Sequence, residues 1–157
     1  MNDDRMQGSC CGSRRPPTMS DYIDRGLRRS RRPELAVAGA LRQDDDGRFA
    51  RFSVQVEDDV ITDVQFRVSP CVTLIAYCEV AAEWATGQTL PAAVRRVRAA
   101  DLSGELPLVP AAKRARALLA SQALVATIVA TATRASTEST KDHEGHEGHE
   151  GQLIKAL

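Results

Sequence analysis

The chain is predicted to be an α+β domain: a small three-stranded antiparallel sheet with helices packed on one face. Two observations carry this. Residues 49–68 hold two runs with strand periodicity on either side of a tight Glu57-Asp58-Asp59 turn. Residues 71–133 hold apolar runs long enough for helices, punctuated by Gly87, Gly104, Pro107 and Pro110. A length of 157 residues suits one domain with loose ends. Residues 1–19, with Gly8, Ser9, Gly12, Ser13, Pro16 and Pro17, read as a disordered arm; residues 20–133 as the domain; residues 134–157 as a low-complexity tail.

Each element has a local cause. Ser20 or Asp21 is placed to cap a first helix through Tyr22, Ile23 and Leu27, and Pro33 stops it. Glu34 to Leu41 is apolar enough for a first strand, closed by the Asp44-Asp45-Asp46-Gly47 turn. From Phe49 to Val56, Phe52, Val54 and Val56 alternate with Arg51, Ser53 and Gln55, the pattern of a half-buried strand. Val60 to Val68 follows as its antiparallel neighbour, since so short a connection permits nothing else. Cys71 to Ala85 reads as a helix ended by Gly87. Thr89, with Pro91 in the first turn, starts a short helix to about Ala99. Residues 101–110 read as a loop, Ala111 to about Thr133 as a long helix, and Ser136 onward as a polar tail.

Composition excludes some functions. Formal net charge is zero, so no global field draws the chain to nucleic acid or membrane. Charge is nevertheless uneven, with Arg25, Arg28, Arg29, Arg31 and Arg32 close together and an acidic stretch from Glu138 to Glu150. The arginine run has two readings, phosphate contact or a solvated docking face. No aromatics interleave it for stacking, so no nucleic-acid partner is expected. The apolar stretch 117–132 contains Ser121, Gln122, Thr127 and Thr131 and is short for a membrane span, so it reads as a buried helix. The cysteines are Cys10, Cys11, Cys71 and Cys78, too few for a disulfide framework, and a reducing cytoplasm is the expected compartment. The predicted domain holds no histidine, so no Ser–His or Cys–His pair forms there, and no glycine-rich phosphate loop follows a strand; an enzyme is not expected.

Several motifs occur in a telling order. They are Tyr22 and Pro33, Asp63-Val64-Gln65-Phe66, Cys71, Ala82-Glu83-Trp84-Ala85-Thr86-Gly87-Gln88-Thr89-Leu90, and Pro110-Ala111-Ala112-Lys113. Over about residues 20–132 the chain resembles the iron–sulfur cluster assembly scaffold family of the IscU/NifU amino-terminal type. The resemblance implies that fold, a cluster site at Cys71, and docking of a specialised Hsp70-type chaperone at Pro110 and Lys113. It also implies a cysteine desulfurase partner and a possible homo-oligomer. The departures are large. The family's first cysteine falls at Asp46-Gly47-Arg48, and its His-Cys pair falls at Ala115-Arg116. Of its cluster cysteines only Cys71 keeps its place, with Asp46 as a substitute oxygen ligand.

Unsatisfied N–H groups at a helix start stabilise negative charge, so a cysteine there is disposed to act as a thiolate. The resemblance implies that Arg48 and Arg116 add to this. Cys71 could accept a persulfide sulfur, hold iron, or share a cluster with another chain; alone it cannot hold a [2Fe–2S] cluster, which needs four ligands. The competing reading is a packed apolar thiol. Cys78, roughly 10 Å along the helix axis, reads as a core thiol, and Trp84 as packing. Cys10 and Cys11 either supply missing ligands from a flexible arm or are incidental. The tail carries three copies of His-Glu-Gly, placing His143, His146 and His149 as ligands for a divalent metal, or is a low-complexity expansion.

Three functions follow: a divergent scaffold binding iron, a cluster or a persulfide through Cys71, with ligands from a partner; a ligand-depleted pseudo-scaffold acting as an adaptor or complex subunit; and a metal collector working through its histidine-rich tail.

Overall fold

The computed structural model describes residues 15–141. The first helix, α1 (Met19–Ser30), is capped at Thr18, two residues before Ser20, the earlier of the caps the sequence suggests. Thr18 is the N-cap: its side chain accepts from the Asp21 backbone N–H, and the Asp21 carboxylate accepts from the Thr18 backbone N–H at 2.7 Å. This reciprocal capping box satisfies two otherwise free donors. Tyr22 and Gly26 face inward, and Gly26 is required because a Cβ there would lie 2.7 Å from Ile75 Cγ2.

The predicted first strand is present as two short pieces, β1 (Val37–Ala38) and β2 (Arg42–Gln43). Both pair antiparallel with β3 (Phe49–Glu57). Ala38 faces Ser53 and Arg42 faces Ala50, so four residues on one side match three on the other. One extra residue bulges the strand between them. β4 (Val60–Val68) pairs along the other edge of β3. The sheet is thus the expected three-row meander with a broken first row. Asp58 and Asp59 both take positive φ, 50° and 62°, giving the two-residue turn whose twist suits a hairpin.

Ala50, Phe52 and Val54 of β3, with Val64 and Phe66 of β4, are fully buried on the helical face. The Phe52 and Phe66 rings, opposite each other in register, lie 5.6 Å apart and tilted. α2 (Val72–Ala85) is apolar all round and almost wholly buried, as its position between the sheet, α1 and the last helix requires. Gly87, at φ 81°, turns the chain after α2, and its N–H donates to the Ile61 carbonyl at 2.7 Å. α3 (Leu90–Arg96) follows, with Thr89 as N-cap and Pro91 in its first turn.

Two expectations need correction. The stretch read as a loop over 101–110 is in large part a helix, α4 (Ala99–Glu105). Its Leu102 is fully buried, and Glu105 accepts from the Tyr22 hydroxyl at 2.9 Å. Tertiary burial of Leu102 overrides the weak helix preference of Gly104. The long helix starts later and ends later than its pattern suggests. Ala111–Lys113 is a 3-10 turn, and α5 spans Ala115–Lys141. Beyond Thr131 the Thr133, Ser136 and Thr137 hydroxyls turn back to donate to carbonyls four residues earlier. By length and composition α5 could cross a membrane, but half of its apolar window is buried within the fold.

The face opposite the helices is sealed by polar contacts. Ser53 and Gln65, both 1% exposed, bond to each other at 3.0 Å. They also bond to the Leu35 N–H and the Arg32 carbonyl, in the segment that leads from α1 to β1.

Candidate functional site

Cys71 stands at the head of α2 as its N-cap, in extended conformation, and is half-buried. Its N–H donates to the Ser69 carbonyl at 2.7 Å, and its carbonyl accepts from Ile75 N–H at 2.9 Å. Ser69 is the positioning residue that sequence reasoning missed. Its Oγ accepts from the Phe49 N–H at 2.7 Å, tying the approach to Cys71 onto the end of β3. A Ser-Pro pair before a helix is a turn-forming signal that could have found it.

Cys71 opens on a cleft of about 640 Å³ lined by Asp46, Arg48, Ser69, Lys113 and Arg116, among others. The β2–β3 turn, the head of α2 and the start of α5 therefore meet here. Three positions singled out from sequence, Cys71, Asp46 and Lys113, lie in one cleft. Pro110 does not line it; it is exposed and caps the 3-10 turn, its carbonyl accepting from Lys113 N–H at 2.8 Å. Arg48 and Arg116 both reach the cleft, as the resemblance implies.

The charges are not all free. Arg48 pairs with Asp44 at 3.0 Å and also with Asp46. Burial works to raise the Asp44 carboxyl, but the backbone N–H and guanidinium of Arg48 hold it below the usual carboxylate range. The Asp46 side chain is 70% exposed and engaged by Arg48, which weakens its standing as an oxygen ligand. Arg116 carries a buried Nε with no hydrogen-bond partner among the described residues.

Cys78 is fully buried in the core, and burial pushes its thiol well above its ordinary range, with Glu79 and Cys71 adding to this. Trp84 is half-buried, with the Arg96 guanidinium 4.9 Å over its ring. Three of the five arginines of the run, Arg25, Arg29 and Arg32, are engaged by acids of the fold, so the run is not simply a solvated face. Arg29 grips the buried Glu79 carboxylate at 2.7 and 3.0 Å and donates to the Val64 carbonyl at 2.6 Å. Arg25 pairs with Glu83 at 3.0 Å, and Arg32 with Asp63. Cys10, Cys11, His143, His146 and His149 lie outside the described residues.

The cleft offers one thiol and one engaged carboxylate. Among the described residues no group of three or more His, Cys, Asp or Glu side chains could hold a metal ion. These residues by themselves do not fit an iron–sulfur cluster.

Comparison with known proteins bears on the whole domain. The family model for the NifU-like N terminal domain matches residues 24–138. A solved candidate iron–sulfur cluster assembly scaffold protein for the SUF system of Fervidobacterium islandicum AW-1 is 18% identical. The match covers 70% of this chain and 93% of that one with a TM-score of 0.54. The N-terminal part of a nitrogen-fixing NifU-like protein from Brucella abortus is 23% identical, covering 74% of this chain and 99% of that one, with a TM-score of 0.48. No curated protein matches the chain. The architecture built above from local signals is that of the Fervidobacterium structure, and the matched residues run from within α1 to within α5: the chain belongs to the NifU-like N-terminal domain family.

Proposed function

We propose that this chain is a divergent iron–sulfur assembly scaffold that works through Cys71, receiving sulfur as a persulfide or holding iron with the remaining ligands supplied by a partner. The observation that carries this reading is the position of Cys71: half-buried against the core, at the head of a buried helix, and opening on a cleft where three separate elements meet. A merely structural thiol has no need of such a place, and Cys78, seven residues on, is sealed in the core. A cysteine desulfurase is the sulfur-supplying partner, and an Hsp70-type chaperone docks at Pro110 and Lys113. The chain acts without catalysing a reaction of its own, in a reducing cytoplasm. Asp46 serves as an oxygen ligand only where a partner draws Arg48 away.

The adaptor reading has one observation in its favour. Lys113 and Arg116 put positive charge where a metal cation would sit. The tail histidines, His143, His146 and His149, form a separate collecting site for divalent metal.

Anaerobic reconstitution of the full chain with iron, cysteine and a desulfurase separates these. The background variant carries His143, His146 and His149 replaced by alanine. Iron or cyanide-labile sulfur retained by this background and lost on Cys71→Ser is the expected result. No loading of the background at any desulfurase concentration rules out the scaffold reading and leaves the adaptor.

A further inference from the structure

The cleft beside Cys71 has the chemistry of an anion site. Four charged side chains line it: Asp46, Arg48, Lys113 and Arg116. Arg48 is shared between Asp46 and Asp44 and adds no free positive charge. Lys113 and Arg116 have no acid within ion-pair distance among the described residues. Arg116 also lines the adjoining hollow, which holds Asp44, Asp45 and Asp46, but none of the three comes within ion-pair distance of it. Arg116 as a whole is half-buried, and its buried Nε–H has no acceptor among the described residues. A buried guanidinium donor left unpaired is costly, so an orphan of this kind marks where an acceptor belongs.

The helix start adds to the field. Cys71 makes no side-chain capping bond, so it leaves the first N–H groups of α2 uncovered, and Val72 and Thr73 line the same cleft. Free N–H groups at a helix start favour negative charge. Two unpaired cations, a helix start and a thiol therefore converge on one open space.

We infer that this cleft takes a small oxyanion bearing a transferable sulfur, of the thiosulfate class, with its oxygens toward Arg116 and Lys113 and its outer sulfur at Cys71. This deepens the reading of Cys71 as a sulfur acceptor and rests on it. In the step implied, the deprotonated Cys71 sulfur attacks the outer sulfur of thiosulfate. A new S–S bond forms, the donor's S–S bond breaks, and its electron pair leaves on sulfite. Thiolate plus thiosulfate gives persulfide anion plus sulfite, with charge and atoms balanced and no outside oxidant or reductant. The cations hold the departing sulfite. A plain sulfate or phosphate would bind by the same contacts but give Cys71 nothing to accept.

The test uses the full chain, reduced and anaerobic, titrated separately with sulfate, thiosulfate and ferrous iron. Binding is followed by NMR of the Arg116 Nε–H and the Val72 and Thr73 amides, and sulfur loading by cyanide release of thiocyanate. Both anions should shift these signals, and thiosulfate alone should leave cyanide-labile sulfur. Cys71→Ser should abolish loading while preserving anion binding. Arg116→Gln should weaken anion binding about tenfold, the loss of one charged hydrogen bond. Lys113→Gln, at an exposed position that folding does not need, should weaken it less. The inference is overturned if neither anion moves these signals, or if affinity is unchanged in both variants. Sulfate and thiosulfate binding alike without loading overturns the substrate class. If desulfurase loads Cys71 while no anion binds, the proposed function stands and this inference fails. If anions bind and neither desulfurase sulfur nor ferrous iron loads at Cys71, the proposed function fails instead.

Discussion

Arg29→Met should be among the most destabilising single substitutions in α1. Arg29 makes two bonds to the Glu79 carboxylate and one to the Val64 carbonyl. The Glu79 side chain is 2% exposed and that of Arg29 17%. Methionine fills much of the arginine stem but leaves Glu79 as a buried charge without its partner. Breaking a buried pair costs about 3–5 kcal/mol, and the residual hydration of Arg29 favours the lower end, about 3 kcal/mol. For a domain of this size that corresponds to a Tm drop of roughly 10–15 °C. The double variant Arg29→Met, Glu79→Leu removes both charges of this pair from the interface between α1 and α2. It should return to within about 1 kcal/mol of the parent, because the desolvation cost of both ions disappears. Urea and thermal unfolding at pH 7 measure all three proteins. A single-variant loss under about 1 kcal/mol would falsify the claim that this pair is buried. A double variant no better than the single would show that the pair, and not the stranded charge, carries the stability.

Further outcomes follow from the same packing. Gly39→Ala would set a Cβ 2.8 Å from Thr127 Cβ and 2.9 Å from its Cα, forcing α5 off the bulged strand. A loss of about 1–3 kcal/mol by urea unfolding is expected, only partly recovered by Thr127→Ala; no loss would mean the strand and helix do not touch there. Tyr77 is fully buried and its hydroxyl has no partner among the described residues. Tyr77→Phe should therefore stabilise, by about 1 kcal/mol in chemical unfolding, and a destabilised variant would reveal a bond to that hydroxyl. Burial works to raise the Asp63 carboxyl, but Arg32, the Val64 N–H and Arg29 hold it below the usual carboxylate range. Its folded-state pKa is lowered, so its contribution is present above pH 3.8 and fades as pH falls through the lower, folded value. Asp63→Asn should be less stable than the parent at pH 7 and equal to it in strong acid. A gap that widens on acidification would refute the assignment.

Sequence alone determined the elements whose signals are local. The alternation of Phe52, Val54 and Val56, the two-residue turn at Asp58-Asp59, and the glycine at 87 each act within a few residues. Short-range sterics and pattern therefore sufficed for the hairpin and for α2. The place of Cys71 at the head of α2 was legible for the same reason. What the tertiary structure decided depends on partners far away in the chain. Leu102 makes α4 helical because it is buried in the core, although the sequence around Gly104 reads as a loop. The bulge that splits β1 from β2 brings Gly39 against α5, a contact no local pattern announces. The arginine run reads as a solvated surface because linear charge says nothing about which guanidinium faces a buried acid. Glu79 and Asp63 lie 50 and 31 residues from the arginines that hold them. The cleft itself is a product of folding: a turn after β2, the cap of α2, the 3-10 turn and the first turn of α5 converge to set beside Cys71 both Lys113 and Arg116, whose Nε has no partner among the described residues.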